Sequence, residues 1–211
     1  MIRLSHSDYL AIRAHAQVIE ADLFGDKVLA LGDGSFLKLF RRKRLLSSAA
    51  WHPYANRFAD NARGLAALGI RSPEPVAVYR IRSIARDAVR YRPLAGSTLR
   101  QLVAAGAGPA DLRYRLGRFV ARLHQLGVYF RSLHLGNIVL TPAGELGLID
   151  VADLRITRRP LHHHRRRRNM KHLLRIEADR AWLTADGTAA FRAGYAEGAG
   201  DTRIADAVVP T

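Results

Sequence analysis

Apolar residues follow two different periods on the two sides of residue 93. Before it, short apolar runs alternate with glycine and aspartate turns, which is typical of short strands. The predicted strands are 18–22, 27–31, 35–40, 76–81 and 88–91. Between the third and fourth of them, apolar residues from Tyr54 to Leu68 recur at helical spacing until Gly69. Residues 1–92 therefore predict a five-stranded, mainly antiparallel sheet with one amphipathic helix.

Beyond residue 93 the pattern becomes mainly helical. Residues 93–97 contain proline, glycine and serine, which favour a turn, and we place the boundary between two lobes here. The predicted helices are 99–105, with Ser97 or Thr98 as the N-cap, 111–127, and a last one around residues 189–195. A hairpin of strands 138–140 and 146–151 interrupts the helices. The sequence thus predicts an α+β fold with an N-terminal lobe in 1–92 and a mainly helical lobe in 98–211.

Composition narrows the classes of protein to which the chain belongs. The formal net charge is +16 and 48% of the residues are hydrophobic, which is typical of a folded, basic protein that attracts polyanions. The absence of cysteine excludes disulfides and thiolate metal sites. No signal peptide or apolar run of membrane-spanning length is visible, so we expect a cytoplasmic protein.

Asn137 and Asp150 are the candidate metal ligands. They lie at the two ends of the predicted hairpin, and an amide oxygen together with a carboxylate suits a divalent cation that bridges nucleotide phosphates. Taken singly, each residue has a structural interpretation, because Asn137 can cap a turn and Asp150 can end a strand.

The order of these residues resembles a known family. The loop Phe130-Arg-Ser-Leu-His-Leu-Gly-Asn137 follows a helix that ends Leu-His-Gln-Leu-Gly, and it precedes Leu-Ile-Asp150. This order resembles the aminoglycoside-phosphotransferase and lipopolysaccharide core (Kdo or heptose) kinase branch of the protein-kinase-like superfamily, whose loop reads His-x-Asp-Leu-His-x-x-Asn. Some proteins of this kind are labelled toluene tolerance proteins. The resemblance implies a two-lobed kinase-like fold with a shortened C-terminal lobe, and a phosphotransferase that uses ATP and Mg²⁺, held by Asn137 and Asp150.

The resemblance extends upstream, over residues 27–151. It implies that Lys38, a charged residue in an apolar strand, contacts the nucleotide phosphates; the alternative is a lysine that faces outward on an edge strand. Residues 91–100 resemble the hinge that joins the two lobes, with residues 93–97 as the link. Tyr91 would then line the adenine pocket.

Three positions depart from the family pattern. Ser132 stands where the family has its catalytic aspartate, and a serine is not a base at neutral pH. His134 is a candidate substitute for that base, although the family has a histidine there without this role. Asn61 replaces the usual glutamate partner of the lysine, and Gly25 is the only glycine of the expected phosphate loop 23–26. These departures keep open a pseudokinase, a kinase-like protein that serves in envelope biogenesis as a binding or regulatory partner.

The basic segment 158–175 permits several interpretations. Adjacent histidines do not share one helix face, which disfavours a metal site. Nucleic-acid binding is disfavoured because no aromatic residues interleave the arginines, although a basic nucleic-acid-binding module remains the alternative outside the superfamily. A solvated basic face is the remaining structural alternative. We prefer a patch for an anionic glycolipid acceptor, such as lipopolysaccharide core, at an acidic membrane surface on the inner face of the cytoplasmic membrane. Its residues are Arg165, Arg166, Arg167, Arg168 and Lys171.

Overall fold

The chain divides into two compact units. The structure, a computed structural model, describes residues 1–41 and 52–209. The first unit comprises residues 1–94 together with 151–153, and the second comprises residues 95–150 and 154 onward. The division between Leu94 and Ala95 lies within the segment predicted as a hinge, and the role of that segment as a hinge stays a prediction.

The first unit is built on a six-stranded sheet. Its elements are β1 (Ile2–Arg3), α1 (His6–Ala14), β2 (Gln17–Asp22), β3 (Gly25–Ala30), β4 (Phe36–Arg41), α2 (Tyr54–Ala67), β5 (Glu74–Ile81), β6 (Arg86–Arg92) and a 3-10 turn (Val151–Asp153). The strand order is β1-β5-β6-β4-β3-β2, and every pairing is antiparallel except that of β1 with β5.

Alternation along β4 sends neighbouring side chains to opposite faces of the sheet. Leu37 and Leu39 pack with Tyr9 of α1 in one buried cluster. Phe40 stacks on Tyr54 of α2, with the ring centroids 6.2 Å apart. The sheet is therefore covered by a helix on each face.

Strand β1 and helix α1 add to the predicted sheet and helix. Sequence patterning did not indicate them, because β1 has only two residues and α1 presents a weak apolar face. The Ser5 hydroxyl caps α1 by accepting from the Asp8 amide at 3.0 Å. Burial of Tyr9 then anchors the helix on the sheet.

The second unit is mainly helical. Its elements are β7 (Ser97–Thr98), α3 (Leu99–Ala104), α4 (Leu112–Gln125), β8 (Val128–Phe130), a 3-10 turn (Leu135–Asn137), β9 (Ile138–Leu140), β10 (Leu146–Leu148), β11 (Leu154–Ile156), α5 (His163–Leu173), α6 (Glu177–Thr184), α7 (Ala189–Ala199) and α8 (Thr202–Val208). Thr98 caps α3 in a reciprocal capping box with Gln101, as one of the two predicted N-caps. Across the part of the chain that the structure describes, no helix is long and apolar enough to span a membrane.

Helices α4 and α7 pack at close range because glycines line their contact. A Cβ atom at Gly117 of α4 would overlap the carbonyl oxygen of Phe191, and one at Gly194 of α7 would overlap the carbonyl oxygen of Tyr114. Without side chains at these positions the two backbones approach each other directly. Helix α4 leads into β8 and the loop 131–137, so this packing forms the base on which the candidate site is built.

Candidate functional site

The β9–β10 hairpin brings the two candidate metal ligands to the same end. Leu148 pairs with Ile138, and the Ile149 amide donates to the carbonyl oxygen of Asn137 at 3.0 Å. Asn137 immediately precedes β9, and Asp150 follows Ile149. The register of the hairpin therefore places Ile149 opposite Asn137 and Asp150 one residue further along. Both residues belong to the second unit.

The Asn137 side chain is oriented by its nitrogen. Nδ2 donates to the carbonyl oxygen of Ser132 at 3.0 Å and lies 3.3 Å from Nε2 of His134. Because Nδ2 is engaged in this way, Oδ1 is the Asn137 atom suited to a cation. An amide oxygen and one carboxylate fit Mg²⁺, which keeps several waters or substrate phosphates as its other ligands.

No larger metal cluster accompanies this pair. In residues 1–41 and 52–209, no group of three or more histidine, aspartate or glutamate side chains is arranged to hold a metal ion. The candidate metal site of the described chain therefore consists of the pair Asn137 and Asp150, and cation binding there stays a prediction.

Asp150 has a left-handed backbone, with φ of 53°. This conformation is uncommon for a residue with a side chain, and strain of this kind persists where the surrounding structure holds it. The bond from Ile149 to Asn137 fixes the residue before Asp150. The geometry therefore singles out Asp150 among the aspartates of the described chain, since no other has a positive φ.

The surroundings of the His134 ring favour its neutral form. Burial lowers the pKa of His134, and the positive charge of Arg100 lowers it further, while the charges of Asp179 and Asp150 act in the opposite sense. Both ring nitrogens face donor groups, Nη2 of Arg100 at 3.4 Å and Nδ2 of Asn137 at 3.3 Å. A protonated imidazole would find no acceptor in these two neighbours.

A buried carboxylate holds the candidate catalytic loop in place. Asp179 of α6 is 3% exposed and accepts from the Leu135 amide at 3.0 Å. It also accepts from Nε of Arg100 at 3.0 Å and from Nη2 at 2.8 Å. Sequence reasoning missed both residues, because neither belongs to the loop motif and Asp179 has the pattern of an ordinary helix-start carboxylate.

A buried polar chain supports the strand that leads into this loop. Arg166 donates to the Tyr195 hydroxyl at 3.3 Å, and that hydroxyl lies 2.8 Å from Nδ1 of His124. Nε2 of His124 lies 3.2 Å from Oδ1 of Asn169. The Nδ2 group of Asn169 in turn donates to the carbonyl oxygen of Phe130 at 2.6 Å. Burial lowers the pKa of His124 to about 3, with the Arg166 charge as a second cause. His124 is therefore a neutral link in a structural network.

The predicted nucleotide-binding residues of the first unit lie on the α2 side of the sheet. Lys38 shares its strand face with Phe40, whose ring centroid is 5.8 Å from Nζ. Tyr91 is buried, and its ring packs against Phe36 at 5.9 Å and Phe58 at 5.0 Å between centroids. Lys38 therefore faces the same side as α2, while contacts of Lys38 and Tyr91 with a nucleotide stay predictions.

Asn61 makes a contact that a glutamate could not make. Its Nδ2 donates to the carbonyl oxygen of Val151 at 2.7 Å, within the first unit. Val151 is the residue that follows Asp150 in the chain. An amide at position 61 thus ties α2 to the turn 151–153, whereas the carboxylate of the family pattern has no hydrogen to donate.

The basic segment forms helix α5, and its arginines divide into two groups. Arg166 is 6% exposed and donates from Nε to the carbonyl oxygen of Leu161 at 2.7 Å. It belongs to the packed interior, so the surface patch expected from the sequence does not include it. The other predicted patch residues are exposed: Arg165, Arg167, Arg168 and Lys171. Within residues 1–41 and 52–209, none of these four side chains forms an ion pair with an aspartate or glutamate.

Comparison with known proteins identifies the fold. No protein-family model matches the sequence, and no curated protein is similar to it. A solved structure of WaaP in complex with acyl carrier protein is similar, with a TM-score of 0.54 and 16% identity over 90% of this chain and 82% of that chain. A co-crystal structure of WbdD with the kinase inhibitor LY294002 has a TM-score of 0.46 and 17% identity, and this chain spans 43% of that chain. A structure of the bifunctional kinase-methyltransferase WbdD has a TM-score of 0.43, with this chain spanning 30% of it.

The likeness to WaaP shows the fold alone, because the identity is 16%. The predicted fold class, a protein-kinase-like α+β fold with an antiparallel-dominated N-terminal sheet and a mainly helical remainder, is confirmed. The fold is thus the one that the resemblance of the loop motif implied.

Proposed function

We propose that this chain is a kinase-like phosphotransferase that uses ATP and Mg²⁺ to phosphorylate a sugar hydroxyl of the lipopolysaccharide core. One observation carries the proposal: in a kinase-like fold, the hairpin register places Asp150 one residue beyond the position opposite Asn137, and Oδ1 of Asn137 is suited to a cation. In phosphoryl transfer, the cation neutralises charge on the nucleotide phosphates.

In this proposal, different residues bind the nucleotide and the metal ion. Lys38 would hold the nucleotide phosphates, Tyr91 would line the adenine pocket, and Asn137 and Asp150 would hold the Mg²⁺. The acceptor oxygen forms a bond to the terminal phosphorus as the bond to ADP breaks, and the acceptor proton passes to solvent. Because positioning and electrostatic stabilisation supply most of the rate enhancement, this step does not require a strong base.

Ser132 and His134 determine how fast that step proceeds. Ser132 occupies the position of the family aspartate and cannot accept a proton at neutral pH. The neutral form of His134, which its surroundings favour, has a lone pair, but both ring nitrogens face neighbouring donor groups. We therefore expect slow turnover, with Ser132 orienting the acceptor hydroxyl as a hydrogen-bond partner.

The acceptor would be recognised through its negative charge. Arg165, Arg167, Arg168 and Lys171 are exposed on or beside one helix, and no acidic residue lies between positions 154 and 176. Such a surface attracts the phosphates and acidic sugars of a lipopolysaccharide core, and it also favours peripheral contact with an acidic bilayer. We place the protein at the inner face of the cytoplasmic membrane on this basis.

The alternative function is a pseudokinase with a binding or regulatory role in envelope biogenesis. Ser132 is the observation that favours it, because it replaces the family aspartate and no carboxylate occupies the loop 131–137. This alternative predicts that nucleotide binding, where it occurs, is not followed by transfer.

The test is transfer of radiolabelled terminal phosphate from ATP to purified lipopolysaccharide core acceptors, measured for the parent protein, Ser132→Asp and Asp150→Ala. The proposal predicts slow Mg²⁺-dependent labelling that Asp150→Ala abolishes and Ser132→Asp increases. Labelling that Asp150→Ala leaves unchanged would contradict it, and no labelling in either the parent or Ser132→Asp would favour the pseudokinase.

A further inference from the structure

Arg100 is held beside the candidate catalytic loop by a buried carboxylate. Asp179 accepts from Nε and from Nη2 of Arg100, so one edge of the guanidinium is fixed in two-point geometry. The Arg100 side chain is nevertheless 41% exposed, whereas that of Asp179 is 2% exposed. The guanidinium of Arg100 is thus held on one edge by Asp179, and part of it remains exposed to solvent.

The open edge of Arg100 is its Nη1 group. Nη2 is occupied by Asp179 and lies 3.4 Å from His134, whereas no residue in the ranges 1–41 and 52–209 accepts from Nη1. An unused N–H pair on a fixed guanidinium is a ready donor for a phosphate oxygen. Because the Arg100 side chain is already held in position by Asp179, it loses little conformational entropy when a ligand binds.

The loop backbone passes close to this open edge at Gly136. A Cβ atom at Gly136 would lie 2.8 Å from Nη1 and 3.0 Å from Cζ of Arg100. The backbone angle of Gly136 does not require glycine, since its φ is not positive. The absence of a side chain at position 136 therefore has a spatial reason, which is to leave the guanidinium accessible beside the loop.

The charges around this edge are two cations and two carboxylates. Arg100, Asp179, Arg175 and Asp150 all act electrostatically on His134, so these groups lie near the same loop. Asp179 is paired with Arg100, and Asp150 is the candidate metal ligand, which leaves Arg175 as a second cation at the site. A phosphate there would meet the fixed charge of Arg100 and the exposed charge of Arg175.

We propose that Arg100, with Asp179 beneath it and Gly136 beside it, forms a phosphate-binding subsite at the candidate catalytic loop. The proposal rests on the proposed function only for its meaning in catalysis. The phosphate belongs either to the nucleotide, as the group in transfer, or to a phosphorylated acceptor. In both cases Arg100 supplies fixed positive charge at a site that lacks the aspartate of the family pattern.

Phosphate binding can be measured without nucleotide or Mg²⁺, so its failure is separate from a failure of the proposed function. Isothermal titration with inorganic pyrophosphate would compare the parent protein, Arg100→Gln and Gly136→Ala. Arg113→Gln is the matched control, because Arg113 also bonds to a neighbour in the second unit, the carbonyl oxygen of Trp182 at 2.8 Å, and its charge is not among those that act on His134. We expect Arg100→Gln to weaken binding at least about tenfold, and Arg113→Gln to change it by less than about twofold.

Gly136→Ala keeps the test informative if Arg100→Gln, which leaves Asp179 without its cation, fails to fold. The added methyl group obstructs Nη1 while every charge and the Arg100–Asp179 pair remain, so we expect a similar loss of affinity in a folded protein. Unchanged binding by Gly136→Ala and by any folded Arg100→Gln would overturn the proposal, as would an equal loss in Arg113→Gln.

A second titration distinguishes the two sources of the phosphate. The parent protein would be saturated with ATP and Mg²⁺ and then titrated with glucose 1-phosphate as a simple sugar phosphate. Competition supports a subsite for the nucleotide phosphate, and independent binding that Gly136→Ala weakens supports a subsite for the acceptor phosphate. No binding of either probe by the parent protein would overturn the proposal.

Discussion

The amide nitrogen of Ile149 donates to the carbonyl oxygen of Asn137 at 3.0 Å, closing the open end of the β9–β10 hairpin. This bond sets the separation of the two candidate metal ligands, because Asp150 is the next residue along the chain. The position of Asp150 therefore depends on backbone pairing.

The left-handed backbone of Asp150 predicts a conflict between stability and function. Glycine adopts a φ of 53° without steric cost, whereas alanine at such an angle costs about 1 kcal/mol or more. We expect Asp150→Gly to be more stable than Asp150→Ala by about 1 kcal/mol in urea unfolding, while neither variant binds Mg²⁺ with ATP. Equal stability of the two variants would contradict the assigned backbone conformation.

Asn61 is predicted to be a required hydrogen-bond donor. Asn61→Asp replaces the amide that donates to Val151 with a group that only accepts, so the carbonyl oxygen loses its partner and faces a negative charge. The free energy of unfolding should fall by about 1–3 kcal/mol. Asp60→Asn on the same helix is the control, since it removes only exposed ion pairs and should change stability by less than about 0.5 kcal/mol. An Asn61→Asp variant as stable as the control would show that the bond is dispensable.

His124 predicts loss of stability in mild acid. Its pKa is about 3 in the folded protein and about 6.5 in the unfolded chain, so the unfolded chain binds more protons between these values. The stability that this neutral histidine contributes is complete above about pH 6.5 and decreases as the pH falls towards 3. The stability advantage of the parent over His124→Gln should therefore shrink by about 1–2 kcal/mol between pH 7 and pH 5. An advantage that does not change with pH would rule out a buried neutral His124.

The glycines between α4 and α7 predict sensitivity to a single methyl group. Gly194→Ala places Cβ against the backbone of Tyr114, which cannot rotate away, so the helices must separate. We expect a loss of about 1–3 kcal/mol in spite of the better helix propensity of alanine. The control is Gly32→Ala, which has no atom within 4 Å of the added carbon, so its stability should be nearly unchanged. Thermal melting of both variants measures the difference. A neutral Gly194→Ala would mean that the two helices are less closely packed than described.

Local patterns predicted the fold better than they predicted the site. The strands and the long helices carry clear apolar periods, and residues 112–125 were found almost to the residue as a helix. Strand β1 and helix α1 were not predicted, because a two-residue strand has no period and α1 depends on the burial of Tyr9 against the sheet.

The loop motif identified Ser132, His134, Asn137 and Asp150, and the structure gathers these four within the second unit. It gave no indication of Arg100 or Asp179, because their relationship to the loop depends on how α3 and α6 pack and not on spacing in the sequence. The burial of Arg166 was not predicted for the same reason, since a run of arginines is typical of an exposed surface.

Thermal melting with ATP, in the presence and absence of Mg²⁺, tests the central claim most directly, because a ligand that binds the folded state raises the midpoint. The parent protein should show a rise that requires Mg²⁺, and Asp150→Asn should abolish it. The control Asp111→Asn, a change at an exposed helix start, should retain the rise. A rise that persists in Asp150→Asn, or no rise in the parent protein at saturating ATP and Mg²⁺, would contradict an ATP and Mg²⁺ site built on Asn137 and Asp150.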